Sequence, residues 1–227
     1  MTPSPAQTIE VDGSPVAALL DAPESPSFVY VLAHGAGAGM RHPFLASVAS
    51  RLRERGSATL RYQFPYMEAG KRRVDAPEVA ERCVRAAVTR AAELLPGVPI
   101  IAGGKSFGGR MTSGAQSQAA LAGVRGLAFI GFPLHPPGKP GTSRAEHLRQ
   151  VKIPMLFLQG TRDEFATLEL LRGVVDSLAP RAVLELFADG DHSFAVRKSS
   201  GRTNAQVLDA LCDTLVAWAA GIIADSH

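Results

Sequence analysis

The stretch that most constrains the fold reads Pro99-Ile100-Ile101-Ala102-Gly103-Gly104-Lys105-Ser106-Phe107-Gly108-Gly109-Arg110. A short apolar run climbs into a glycine pair, a serine follows at once, and two more glycines lead into a helix-like segment over 110–122. Residues Gly104 to Gly108 fit G-x-S-x-G, the pattern of a nucleophile elbow. A strand turning abruptly into a helix holds such a serine in strained backbone geometry, with its Oγ raised above the sheet edge. Side chains two positions before and after it are expected to collide across so tight a turn, which explains Gly104 and Gly108. The helix start also offers the Phe107 N–H to a developing oxyanion. The pentapeptide alone fits equally a glycine-rich turn with an N-capping serine. A phosphate loop, G-x-x-x-x-G-K-S, requires glycine at position 99, where the chain has Pro99.

The 227 residues suffice for one packed domain, 1–227, with 1–7 expected as a flexible N-terminus. A net charge of +3 without a basic window argues against nucleic acid as a partner. The tightest basic cluster, Lys71-Arg72-Arg73, reads as a solvated loop. No charged segment followed by an apolar core opens the chain, so no signal peptide is expected. The longest apolar candidate, 208–223, is broken by Asp209, Asp213 and Gly221, so no membrane span is expected either. Cys83 and Cys212 lack metal or redox spacing and suit core positions in a reducing cytoplasm.

Strand and helix patterns then alternate along the chain. Segments 8–11 and 16–20 form a hairpin around Asp12-Gly13-Ser14-Pro15. Strands follow at 28–33, 57–62, 100–102, 126–131, 154–159 and 182–187. Helices are expected over 43–54, 77–95, 110–122, 144–151, 164–178 and 203–220, with Trp218 in the inward stripe of the last. This alternation implies a single-domain α/β fold, with a mostly parallel sheet of about seven to eight strands covered on both faces.

In such a sheet, functional residues gather beyond the carboxyl ends of the strands. Ser106, Asp163 and His192 each follow a strand run, in the order Ser…Asp…His that accompanies the elbow. Ser106 is the expected nucleophile, His192 its base, and Asp163 the group that holds the imidazole tautomer. Glu164, Asp189 and Asp191 are rivals for the acid role, read instead as helix-start and turn residues. The second oxyanion donor is expected from His34-Gly35-Ala36-Gly37, with Ala36 ahead of Gly37 and His34 structural beneath the hole. A dinucleotide reading of this loop fails, because Met40 stands where glycine is needed. His42 and His147 read as surface or capping residues. His135, in the proline-rich loop, and Gly37 are the candidate substrate-binding positions.

Five segments taken together carry a family resemblance: His34-Gly35-Ala36-Gly37-Ala38-Gly39-Met40, Phe64-Pro65-Tyr66-Met67, the elbow, residues 132–140, and Gly160-Thr161-Arg162-Asp163. With these in order, the chain resembles the α/β-hydrolase superfamily over essentially its whole length, and more closely its small, lidless group related to dienelactone hydrolases. The resemblance implies the fold and the triad, without a defined substrate. Some animal relatives look like chromatin-complex subunits, which adds a binding role as an alternative. Dienelactone hydrolases proper use a cysteine nucleophile, so Ser106 argues against their substrate. The resulting expectation is a cytoplasmic serine hydrolase acting on a small-molecule ester or thioester. The alternatives are a silent scaffold of the same fold and an acyltransferase using the same triad. Only 132–153 is available for a lid, too short for a lid domain. Arg72, Arg73 and Lys139 are possible attractants for an anionic substrate. No metal or organic cofactor is implied, and the effect of Lys105 beside the serine is left open.

Overall fold

The computed structural model describes residues 6–225. Strands β1 (Ala6–Val11) and β2 (Ser14–Asp21) form an antiparallel hairpin at one edge of the sheet. Its turn is tighter than the sequence suggests. Asp12 and Gly13 both take positive φ, 50° and 76°, the signature of a two-residue turn, so Ser14 and Pro15 already belong to β2. The remaining strands are β3 (Val29–Ala33), β4 (Ala58–Tyr62), β5 (Ile100–Lys105), β6 (Val124–Ile130), β7 (Met155–Gly160) and β8 (Ala182–Phe187). The eight strands lie in the order β1-β2-β4-β3-β5-β6-β7-β8. Pairing is parallel from β4 through β8, and β2 meets β4 antiparallel. Every residue of β3 and β4 is buried, as expected of central strands covered on both faces.

The described residues form six α-helices, five lying between strands and the last following β8: α1 (Pro43–Glu54), α2 (Pro65–Glu68), α3 (Pro77–Leu94), α4 (Phe107–Gln118), α5 (Leu168–Ser177) and α6 (Asn204–Ala224). Helices α1 and α6 cover one face, where Leu45, Val48 and Leu52 meet Val207, Leu211 and Leu215 over Tyr30, Leu32 and Ile101. Helices α3, α4 and α5 cover the other, burying Val84, Met111, Ala115 and Leu171. Among the described residues, α6 is the one helix long and apolar enough to cross a membrane by length and composition. Here Leu211, Leu215 and Ala219 pack on the sheet. Its acids turn to α1, where Asp209 pairs with Arg51 at 2.9 Å and Asp213 with Arg55 at 2.6 Å. A capping box between Thr203 and Gln206 fixes its start.

Two helix starts, one helix type and the start of β1 differ from the sequence reading. Helix α4 begins at Phe107, directly after Ser106, rather than at 110, so the elbow has no intervening loop. Helix α5 begins at Leu168 rather than at 164. The Asp163 carboxylate accepts the Phe165 N–H at 2.8 Å, and the Asp163 carbonyl accepts the Ala166 N–H. This local turn replaces the first helical turn. The segment Ser143–Gln150 is a 3-10 helix that follows the proline-rich loop after β6. Ala6 and Gln7, expected within a flexible terminus, belong to β1, while residues 1–5 of that expectation lie outside the described residues.

Candidate active site

Parallel strands β5, β7 and β8 all end on one edge of the sheet, and each delivers one polar residue there. Ser106 joins β5 to α4 with φ 50° and ψ −116°, a conformation that costs a non-glycine residue of order 1–3 kcal/mol. The flanking glycines relieve a different crowding from the one expected. A Cβ on Gly104 would stand 2.8 Å from the Ala33 Cβ, and one on Gly108 would stand 2.6 Å from the same atom. The obstacle is the end of neighbouring β3, not the opposite limb of the turn. The elbow is pressed against β3, next to the loop that begins at His34.

The three residues form one hydrogen-bonded chain. His192 Nε2 accepts from Ser106 Oγ at 2.9 Å, and His192 Nδ1–H donates to Asp163 Oδ2 at 2.7 Å. The Asp163 side chain is wholly shielded, and its acceptors are further engaged by Gln159 Nε2 at 2.6 Å and the Phe165 N–H at 2.8 Å. The Phe165 ring lies over the imidazole with centroids 4.3 Å apart. The rivals are occupied elsewhere. Asp191 accepts the N–H groups of Ser193 and Ala195, which closes the histidine loop. Asp189 sits at φ 59° in the turn after β8, and Glu164 is exposed in the turn ahead of α5.

Beside Ser106 lies a cleft of about 290 Å³, bordered by Ala36, Phe44, Leu45, Lys105, Phe165 and His192. Over residues 26–220 the chain matches the family described as an alpha/beta hydrolase domain. The chain belongs to the alpha/beta hydrolase family. Solved structures agree on the fold. A serine hydrolase homologue from Coxiella burnetii superimposes with a TM-score of 0.75 at 18% identity, covering 93% of this chain and 97% of that one. A serine hydrolase without a lid from Xanthomonas campestris gives 0.73 at 22% identity, covering 96% of each chain. A dienelactone hydrolase from Anabaena variabilis gives 0.75 at 20% identity, covering 96% and 97%.

The hydrolase fold places the remaining sequence candidates unevenly. Ala36 borders the cleft, and among the described residues neither its N–H nor that of Phe107 has a backbone acceptor. Gly37 is exposed beside the cleft without lining it, and its N–H is already given to Tyr66 Oη at 3.0 Å, so the oxyanion donor of this loop is Ala36 rather than Gly37. His34 is fully buried beneath the loop. Its Nδ1–H donates to the Gly35 carbonyl at 2.8 Å, and Nε2 accepts the Phe64 N–H at 3.1 Å. Burial draws this imidazole down to about 4, so it stays neutral. Expected as a pocket residue, His135 is instead buried away from the cleft. Its Nδ1–H donates to the Pro136 carbonyl at 2.9 Å, and Nε2 accepts the Thr167 N–H at 2.8 Å. It latches the proline-rich loop to the start of α5. His42 caps α1 and reaches the cleft rim, as a capping residue should. His147 is neither a surface nor a capping residue: half-buried, it bonds Ser113 on α4 at 2.7 Å. Arg72, Arg73 and Lys139 are exposed and do not border the cleft.

Two residues that support the site escaped the sequence reading. Gln159 is buried at the end of β7 and bridges two segments, donating to Asp163 while its Oε1 accepts the Phe132 N–H at 2.9 Å. A lone amide at the end of an apolar strand run was the available signal. Tyr66 holds the loop after β3 through Gly37. It stands in a segment already marked by the family resemblance, but nothing in its spacing reveals the partner.

Proposed function

We propose that the chain is a serine hydrolase that cleaves a small or soluble carboxylic ester or thioester through an acyl-enzyme. The observation that carries this reading is the unbroken chain Ser106 Oγ–His192–Asp163, anchored at a strained elbow that faces a cleft. A serine hydroxyl becomes an effective nucleophile only when a base removes its proton during attack. His192 Nε2 takes that proton as Oγ attacks the acyl carbon, while Asp163 holds Nδ1–H and faces the imidazolium that forms. Charge on the former carbonyl oxygen is met by the N–H groups of Phe107 and Ala36. His192 then protonates the departing alkoxide or thiolate, leaving acyl-Ser106. A water molecule, deprotonated by the same imidazole, completes hydrolysis.

The cleft supports the choice of substrate size. Its volume of about 290 Å³ lies at the small end of ligand pockets. Phe44, Leu45 and Phe165 give it apolar walls suited to a short acyl group. Buried free cysteines Cys83 and Cys212 fit the cytoplasmic location expected from the sequence. The decisive experiment treats the protein with a fluorophosphonate and reads intact mass, alongside Ser106→Ala and His192→Ala. The expected result is one adduct on the wild type, none on Ser106→Ala and slowed labelling of His192→Ala. No adduct on folded wild type refutes the hydrolase reading and favours the scaffold alternative. Product analysis with added alcohol or amine separates hydrolysis from acyl transfer.

A further inference from the structure

Lys105, immediately before the elbow serine, carries a cation with no evident role in the reaction above. Its aliphatic stem borders the cleft, but its Nζ is shut off from solvent and has no hydrogen-bond partner among the described residues. A Cβ built on Gly131, at the end of β6, would lie 3.0 Å from Lys105 Nζ, 3.4 Å from Asp163 Oδ2 and 3.4 Å from His192 Nδ1. Three polar atoms therefore converge behind the Asp163–His192 hydrogen bond, and only a residue without a side chain leaves room for them. The ammonium forms no direct ion pair with Asp163, which places it about 4–6 Å away, the range over which one charge governs another's ionisation.

Burying an ammonium without a partner is costly, and proteins retain such groups mainly where function requires them. Burial draws this one down to about 8, against the attraction of Asp163 and Asp191. Among the described residues, several elements bring titratable or polar groups close to His192. Asp163 comes from the turn after β7, Lys105 from the end of β5, and Ser106 from the elbow. Asp191 lies in its own loop, with its carboxylate on backbone N–H groups, and His42 stands on the cleft rim. Lys105 is the one lysine or arginine among them. The same Gly131 position puts the ammonium within about 6 Å of His192 Nδ1, and a cation so near opposes a second positive charge on the imidazole.

We infer that Lys105 is a positioning residue of the site, whose buried ammonium behind the Asp163–His192 pair keeps His192 in its neutral, proton-accepting form as the medium becomes acidic. This inference rests on the serine hydrolase reading, and it gives the residue between Gly104 and Ser106 a chemical role. It also sets a limit. As the pH rises through about 8 the lysine gives up its proton, so its influence fades.

The test compares fluorophosphonate labelling rates of wild type, Lys105→Met, Lys105→Gln and Lys105→Arg from about pH 5 to about pH 9.5. In parallel, the His192 ring is followed by NMR, assigned with His192→Ala. Met and Gln should move the acid limb to higher pH, slowing labelling about tenfold on that limb, while the rates converge with wild type toward the alkaline end, where the lysine has given up its proton. Arg, which keeps the charge, should retain the wild-type limb. The His192 ring should take up its proton at higher pH in Lys105→Met than in wild type. Superimposed profiles, or a loss of the same size at every pH, would overturn the inference. If no form labels at any pH, the hydrolase reading fails while the ring titration still decides the role of Lys105.

Discussion

Replacing Lys105 with methionine should make the protein more stable at neutral pH. Methionine matches the length of the lysine stem and brings no charge, so the substitution tests the ammonium with little repacking. The folded state lowers the lysine from 10.5 to about 8, chiefly through burial. A cation depressed in this way is held by the unfolded chain and released by the folded one between those two values. Stability therefore rises with pH across that window, and below about pH 8 the full cost is present. Each pH unit of displacement corresponds to 1.36 kcal/mol, so the cost at pH 7 is about 3 kcal/mol. Attraction to Asp163 and Asp191 is already included in that figure, because it acts on the same ionisation. For a chain of this size, relief of about 3 kcal/mol raises the melting temperature by about 6–12 °C. Urea unfolding of wild type and Lys105→Met at about pH 7 and about pH 10.5 supplies the measurement. The gain should be large at the lower pH and nearly absent at the higher. A variant no more stable than wild type at pH 7 would refute the reasoning, because the ammonium would then not be buried without a partner.

Three further substitutions probe the scaffold of the site. Gln159→Leu strips one donor from buried Asp163 and the acceptor of the Phe132 N–H. It should cost about 2–3 kcal/mol in urea unfolding and slow fluorophosphonate labelling at least about tenfold. Gly108→Ala forces a Cβ to within 2.6 Å of Ala33 Cβ, so stability should fall by about 1–3 kcal/mol and labelling should be lost with the elbow geometry. His135→Ala removes the latch to Thr167 without touching the cleft, so thermal unfolding should shift down by about 2 kcal/mol in stability while labelling stays within about twofold of wild type. A large loss of labelling in a folded His135→Ala protein would restore this histidine to the substrate pocket.

The three residues of the hydrogen-bonded chain were legible in the sequence because each stands where local pattern and topology coincide. An apolar run followed by glycine or a turn residue marks a strand end, and parallel strand ends share one edge of the sheet. Serine, aspartate and histidine at three such ends need no knowledge of contacts to be grouped. What surrounds them was less legible because it depends on long-range packing. The glycines of the elbow were recognised, yet the atom they avoid belongs to Ala33, more than 70 residues earlier in the chain. The sequence shows His135 only in its loop, whereas Thr167, 32 positions later, decides where its ring points. Periodicity places the start of α5 too early because it cannot register a carboxylate that captures a nearby backbone N–H.

Lys105 combines both situations. Its position next to the nucleophile is evident from the sequence, and so is its chemistry, but the two do not agree at that level. A cation in a glycine-rich, apolar strand end contradicts the pattern around it. The structure gives the contradiction a physical meaning, since Gly131 clears the space in which the ammonium, the aspartate and the imidazole meet. A residue kept only for packing there would be an apolar one, which would make the fold more stable. Stability and pH response should therefore change in opposite senses when the charge is removed, with a firmer fold and a base that fails earlier in acid. A purely structural lysine would not link the two measurements, and that link is what separates a functional charge from a tolerated one.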